Sequence, residues 1–408
     1  MSDLPAARFL DRTTPPHIAT LILVAGVPAL SMNVFLPSLP HMAEWFSTDY
    51  GIMQLSVSLY LATTAVLQLA IGPISDRFGR RPVLIGSFVV FLVATLGCIY
   101  APSIEVFLAF RILQASVAVG FALSRAIARD IVPGAQAASM IGYVTMGMSV
   151  VPMIGPAIGG ALDEAFGWQA NFWILLALGA TVLLLVQRDL GETARGPRQS
   201  FRAQVAEWPE LFGSPRFWGY VGAAMFASGA FFAYLGGGPF VGSVVFGLSP
   251  AALGLYFGAP AIGYFLGNWI SGRFSVQVGI DRMILWGSIL TAAGLATAVA
   301  LTLAGLRTPL VFFGFMTFVG LGNGMVLPNA NAGMLSVRPH LAGTAAGLGG
   351  AFMIGGGAAL SAWAGALLGP ETGEAPLLYL MLATSAMSVG AILYVMRRNR
   401  RLGSADPA

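Results

Sequence analysis

The chain has 408 residues, of which 57% are hydrophobic and 9% charged, with a formal net charge of +4. A water-soluble domain carries about 25% charged residues, so this composition excludes a soluble enzyme, a disordered regulator and a nucleic-acid binder, and points to an integral membrane protein. All 21 basic residues are arginine. Without lysine there is no P-loop lysine and no Schiff-base chemistry. No enzymatic activity and no cofactor are expected, and any transport would have to run on a gradient unless a separate ATPase subunit supplied the energy.

A membrane-spanning helix needs about 20 mainly apolar residues. Such runs predict spans near 17–39, 51–73, 83–101, 104–128, 138–161 and 168–187, then 216–238, 250–271, 283–304, 310–330, 341–368 and 375–396. The first run follows a polar leader and lacks a small-x-small cleavage site, so it reads as a span rather than a signal peptide. The long polar stretch between spans six and seven, 188–215, divides the chain into 1–187 and 216–408. The fold class that follows is an all-α membrane protein, with twelve transmembrane helices in two pseudo-symmetric six-helix bundles.

Orientation comes from the arginines, which concentrate in cytoplasmic segments. With both termini inside, every arginine except Arg111 and Arg307 falls in a cytoplasmic loop, the linker or a terminal segment. Both termini are therefore expected in the cytoplasm. The single cysteine, Cys98, allows no intramolecular disulfide, and His17, His41 and His340 sit in no metal-ligating spacing. No metal site is expected.

The loop after span two reads Gly72-Pro73-Ile74-Ser75-Asp76-Arg77-Phe78-Gly79-Arg80-Arg81-Pro82. Gly72 would let helices approach closely and Gly79 would permit the turn. Asp76 could face a neighbouring helix N-terminus, where its charge is stabilised. The loop resembles the signature G-x-x-x-D-R-x-G-R-R of the major facilitator superfamily, and the two-halves plan supports that likeness along the whole chain. The resemblance implies a conformational latch of Gly72, Asp76, Arg77, Gly79 and Arg80, with Arg80 pairing to Asp130 at the inner end of span four. The corresponding stretch of the second half is read as Gly267 to Arg273, with Ser271 where the acid would stand.

Span five contains Gly155-Pro156-Ala157-Ile158-Gly159-Gly160. Two small residues four apart allow close helix contact, and proline can kink the helix. The run resembles the G-P-x-x-G-G signature of the superfamily's antiporters, which implies export. In span four, Arg111 would lie about 12 Å deep if the helix starts near Ser103. An arginine there costs about 2.5–3.5 kcal/mol or more unless it faces a partner or a wet cavity. Phe107 to Gln114 resembles the R-x-x-Q motif of the bicyclomycin/chloramphenicol-resistance family of drug exporters, and Ser31 to Pro40 resembles that family too. Many of its members carry an aspartate in span one where this chain has Asn33. No acid is found at mid-membrane depth, which argues against proton coupling by an intramembrane carboxylate.

Candidate substrate-binding residues are the polar and aromatic groups at mid-depth: Asn33, Tyr60, Arg111, Gln114 and Met146 in the first half, and Phe232, Tyr234, Tyr256 and Asn323 in the second. Gln68, Met148, Phe231, Tyr264, Asn268, Asn329 and Asn331 share that depth. Aromatic and methionine walls adapt to varied flat guests. A buried arginine without a buried acid favours a neutral or anionic amphipathic guest. The expected function is export of small amphipathic or antibiotic-like compounds across the inner membrane by alternating access, in antiport with protons and as a lipid-embedded monomer. The alternative is transport of a specific metabolite or siderophore-like anion with weak or no carboxylate-based coupling. A receptor or scaffold would need an extra soluble domain or a long tail.

Overall fold

The computed structural model describes residues 8–132, 140, 141, 143, 144, 151–194, 201–369 and 371–403. Among these residues every regular element is helical. The first part comprises α1 (Ile18–Asn33), a 3-10 turn at Leu36–Ser38, α2 (Leu39–Trp45), α3 (Tyr50–Phe78), α4 (Arg80–Ile99), α5 (Ile104–Gln114), α6 (Val119–Ile131), α7 (Val151–Phe166) and α8 (Gln169–Asp189). A helix in the polar stretch follows, α9 (Phe201–Phe212). Then come α10 (Pro215–Phe240), α11 (Pro250–Tyr256), α12 (Ala259–Val278), α13 (Ile280–Leu303), α14 (Pro309–Val337), α15 (Ala342–Leu367) and α16 (Ala375–Gly403).

Several boundaries follow from local chemistry. Ser214, Ser249 and Thr308 each stand before a proline and accept a backbone N–H two residues beyond it, at 3.3–3.4 Å. A hydroxyl cap followed by proline at the first helical position satisfies one orphan donor and removes another. Gly79 and Gly279 are the hinges of two one-residue turns, with φ of 94° and 89°. Each ends one helix and starts the next, a conformation in which a Cβ would be strained.

Ten helices among the described residues are long and apolar enough to cross a membrane. Of the twelve expected spans, 138–161 lies partly outside the described residues. The span expected at 250–271 is split into α11 and α12, and Asn268, Arg273 and Gln277 make α12 polar. Helices also run past their expected ends, as in α3 and α14, because intrahelical hydrogen bonding does not stop where hydrophobicity does.

In the first part α4 packs on α5 and α8, and α1 on α6, α7 and α8. In the second part α14 packs on α12 and α13, and α10 on α15 and α16. Contacts between the two parts run mainly through α3 with α15 and α7 with α11. Small residues make close packing possible, as is usual between membrane helices. A Cβ at Gly263 would lie 1.8 Å from the Thr317 carbonyl oxygen, and one at Gly320 would lie 1.7 Å from that of Pro260. Gly267 belongs to this α12–α14 seam, 2.1 Å from the Leu321 oxygen by the same construction. It is a packing residue, not the second-half counterpart of Gly72.

Candidate functional site

The Gly155–Gly160 motif sits where three helices meet. A Cβ on Gly159 would fall 1.6 Å from the Val34 carbonyl oxygen, and one on Gly155 would fall 3.2 Å from Leu30, so both glycines seat α7 on the α1 region. Gly160 faces the other way. Its Cβ would lie 2.0 Å from the Pro250 oxygen of α11, and a Cβ on Gly254 would lie 2.3 Å from the Pro156 oxygen of α7. The Glu164 carboxylate accepts the Ala251 N–H at 3.3 Å in the first turn of α11, where a negative charge suits the helix dipole. Beside this seam the Tyr50 hydroxyl donates to the Gly236 oxygen at 2.7 Å, and the Gln54 amide donates to the Ser361 hydroxyl at 2.7 Å. This end of the molecule, opposite the Asp76 loop, is closed.

Below the closure lies a cavity of about 260 Å³ between the two groups of helices. Asn33, Phe232 and Asn323 are on its wall, as are Phe231 and Tyr264. The Asn33 amide donates to its own helix at Ala29, 2.7 Å away. The buried Asn323 side-chain oxygen has no hydrogen-bond partner among the described residues. Met32, Phe257 and Met353 complete the apolar wall.

Arg111, Gln114 and Tyr60 do not reach that wall. All three are buried within the first group of helices, with Arg111 fully inaccessible. Its guanidinium donates to the Gln114 side-chain oxygen, to the Ser56 carbonyl at 3.3 Å and to the Ser31 carbonyl at 3.5 Å. It stacks 4.4 Å from the Phe35 ring centroid and 4.7 Å from that of Tyr60. Gln114 passes the chain of bonds to Thr95 at 2.8 Å. Tyr234 stacks on Phe257 at 4.4 Å and Tyr256 lies against Phe313, so both sit behind the cavity. The Asn268 amide donates to the Tyr264 carbonyl of its own helix and the Asn329 amide to the Ser271 hydroxyl of α12. Met146 and Met148 lie outside the described residues.

A second cavity, of about 380 Å³, opens at the Asp76 end and is lined by Gln68, Asp76, Arg80, Arg125, Arg129 and Thr344 among others. Phe121 lines both cavities and stands between them. At the mouth, Arg80 pairs with Asp76 at 2.6 Å and with Asp130 at 3.2 Å. A Cβ at Gly72 would meet nothing within 4 Å. The close approach expected there is thus absent in this conformation, because the vestibule opens beside it. Asp76 turns to Arg80 rather than to a neighbouring helix N-terminus. Arg77 is exposed, 5.3 Å from the Phe78 ring centroid.

Sequence reading missed the acids that frame this mouth. Glu192 accepts the backbone N–H of Arg80 at 2.9 Å and of Arg81 at 3.3 Å, capping α4. Arg81 returns the favour to α8 by donating to the carbonyls of Gln187 and Leu190. Thr193 donates to Asp130 at 3.3 Å. Asp189 is fully buried and accepts from Leu10, His17 and Thr20 at 2.6–2.9 Å, tying the N-terminal segment to α8. The polar stretch is also more than a linker: α9 places Glu207 against Thr344 and Glu210 against Arg338, the latter at 2.9 Å.

The family model of the Major Facilitator Superfamily matches residues 21–362. The chain belongs to that superfamily. It is 31% identical over 374 residues to multidrug resistance protein D of Escherichia coli (strain K12), covering 88% of this chain and 91% of that protein. It is 29% identical over 334 residues to the chloramphenicol resistance protein of Pseudomonas aeruginosa, covering 80% and 78%. In three dimensions it resembles a bacterial homologue of the human lysosomal transporter Spinster in an inward-facing and occupied conformation. That likeness has a TM-score of 0.71 at 20% identity, over 94% of this chain and 96% of the other. The protein is a multi-pass membrane carrier of small molecules, resembling the bicyclomycin/chloramphenicol-resistance type, and not an enzyme.

Proposed function

We propose that this carrier exports small amphipathic, antibiotic-like compounds across the bacterial inner membrane by alternating access, in antiport with protons. Residues 1–187 and 216–408 would be the two rocking halves, with the Asp76 end facing the cytoplasm in keeping with the arginine distribution. The observation that carries this reading is the apolar cavity between the halves, sealed at one end by backbone contacts at Gly160 and Gly254 and approached from the other through the vestibule. The chloramphenicol and multidrug resistance relatives support an antibiotic-like guest. A second reading, transport of a specific anion without carboxylate coupling, is favoured by one feature: Asn33 stands on the cavity wall, and no Asp or Glu is among its lining residues.

The test is uptake of radiolabelled chloramphenicol into inside-out vesicles with and without an imposed pH gradient. Accumulation that depends on an acid interior supports antiport export. Uptake indifferent to the gradient supports the second reading, and no uptake in either condition defeats chloramphenicol-like export.

A further inference from the structure

On α6, Phe121, Arg125 and Arg129 recur every four residues and therefore share one helix face. Phe121 touches both cavities, and Arg125 comes about one turn, or about 6 Å, nearer the mouth. Arg125 and Arg129 line the vestibule, while Tyr264, on the opposite half, lines the wall of the central cavity. Among the described residues no carboxylate pairs with Arg125. The acids that line the vestibule are engaged elsewhere: Asp76 lies 2.6 Å from Arg80, and Glu207 accepts from Thr344. The Arg125 side chain is exposed, set between an apolar chamber and the vestibule mouth. This is the opposite of Arg111, whose donors and ring faces are taken up inside the fold. Apart from Tyr264 the chamber wall has no ionisable group, so nothing in it would neutralise a cationic guest.

We propose that Arg125 is the anion-recognition group of this carrier, and that its guest is a water-soluble, single-headed amphipathic anion: an apolar body in the central cavity, with a carboxylate or sulfonate on Arg125. The guanidinium offers a planar fork suited to such an oxyanion. Phe121, on the wall of both chambers, would flank an aromatic body whose head stays in the vestibule. The proposal rests on the central cavity being the guest site.

Two probes that differ only in the head separate the two ideas: 2-naphthalenesulfonate and the uncharged 2-naphthalenemethanol. Their binding to the full chain in phosphatidylcholine nanodiscs is measured by titration calorimetry, with empty nanodiscs subtracted. The sulfonate is expected to bind about tenfold more tightly, as a charge-assisted contact allows. Arg125→Gln should erase that preference while leaving the alcohol's affinity within about twofold, which also reports an intact fold. Arg125→Lys should keep part of the preference. Equal binding of both probes to the wild type, or a preference that survives Arg125→Gln, overturns the anion assignment alone. Binding of neither probe overturns the guest site as well. If phosphatidylglycerol in the nanodisc abolishes the sulfonate's advantage, a lipid headgroup holds Arg125 and the soluble guest is wrong.

Discussion

The Arg111 guanidinium lies 4.4 Å from the centroid of the Phe35 ring, and the ring of Tyr60 approaches it at 4.7 Å. A cation deep in a membrane protein is stabilised here by two π faces and by the carbonyls of Ser31 and Ser56, not by an acid. Arg111 therefore organises the core of the first half. Its motif partner Gln114 extends the organisation to Thr95.

Arg111→Ala is expected to destabilise the protein by roughly 2–3 kcal/mol, since it removes a desolvated cation–π pair and leaves the Gln114 oxygen without its donor. Arg111→Lys should recover little, because one ammonium cannot span acceptors on three sides. Thermal unfolding of detergent-solubilised protein measures this. A wild-type melting temperature combined with lost transport would return Arg111 to the path of the guest.

Gly159 and Gly160 are adjacent but face different partners, so the same substitution should do different things. Gly159→Ala forces a methyl toward the Val34 oxygen within one half and should lower yield and stability. Gly160→Ala intrudes on Pro250 across the halves. It should leave a folded protein that cannot close the end opposite the Asp76 loop, with transport reduced tenfold or more. Melting curves and vesicle uptake, read side by side, distinguish the two. Equal loss of stability in both variants would refute the division of labour.

Asp76→Asn removes one of the two acids on Arg80 and is expected to slow the transport cycle with normal insertion. Glu192→Gln removes a charge from the first turn of α4, worth about 0.3–1 kcal/mol. It should lower the melting point slightly without the same loss of rate. Wild-type turnover by well-expressed Asp76→Asn protein would take the loop out of the mechanism.

Asn33 stands on the cavity wall with its amide bonded to Ala29. An amide carries no proton at physiological pH, whereas a partly dehydrated aspartate can titrate in the working range. Asn33→Asp is expected to increase substrate-driven proton movement in vesicles several-fold. Strong wild-type coupling left unchanged by the substitution would place the proton carrier elsewhere.

Most of the spans and the turn at Gly79 were legible because each depends on neighbours in the sequence. The second-half counterpart of the Asp76 loop was misread. The matching turn at Gly279 aligns Gly72 with Gly272 and Asp76 with Val276, a shift of five residues from the alignment to Gly267 and Ser271. Depth along a helix gave Arg111 correctly as buried but could not say which face it occupied, and the aromatic pair that engulfs it comes from elsewhere in the chain, Phe35 from the turn after α1 and Tyr60 from α3. Glu192 caps a helix that begins 112 residues earlier, so no local pattern marks it.

Alternating access is most directly tested at Gly51 and Gly365, where a Cβ on the first would lie 3.5 Å from the carbonyl oxygen of the second across the closed end. Cysteines at these two positions, with the native Cys98 buried, can be joined by a short bifunctional thiol reagent and released by reductant. The measurement is chloramphenicol uptake by the cross-linked and then reduced protein. The account predicts that uptake falls to background when the halves are tied and returns on reduction. Undiminished uptake by fully cross-linked protein would contradict it.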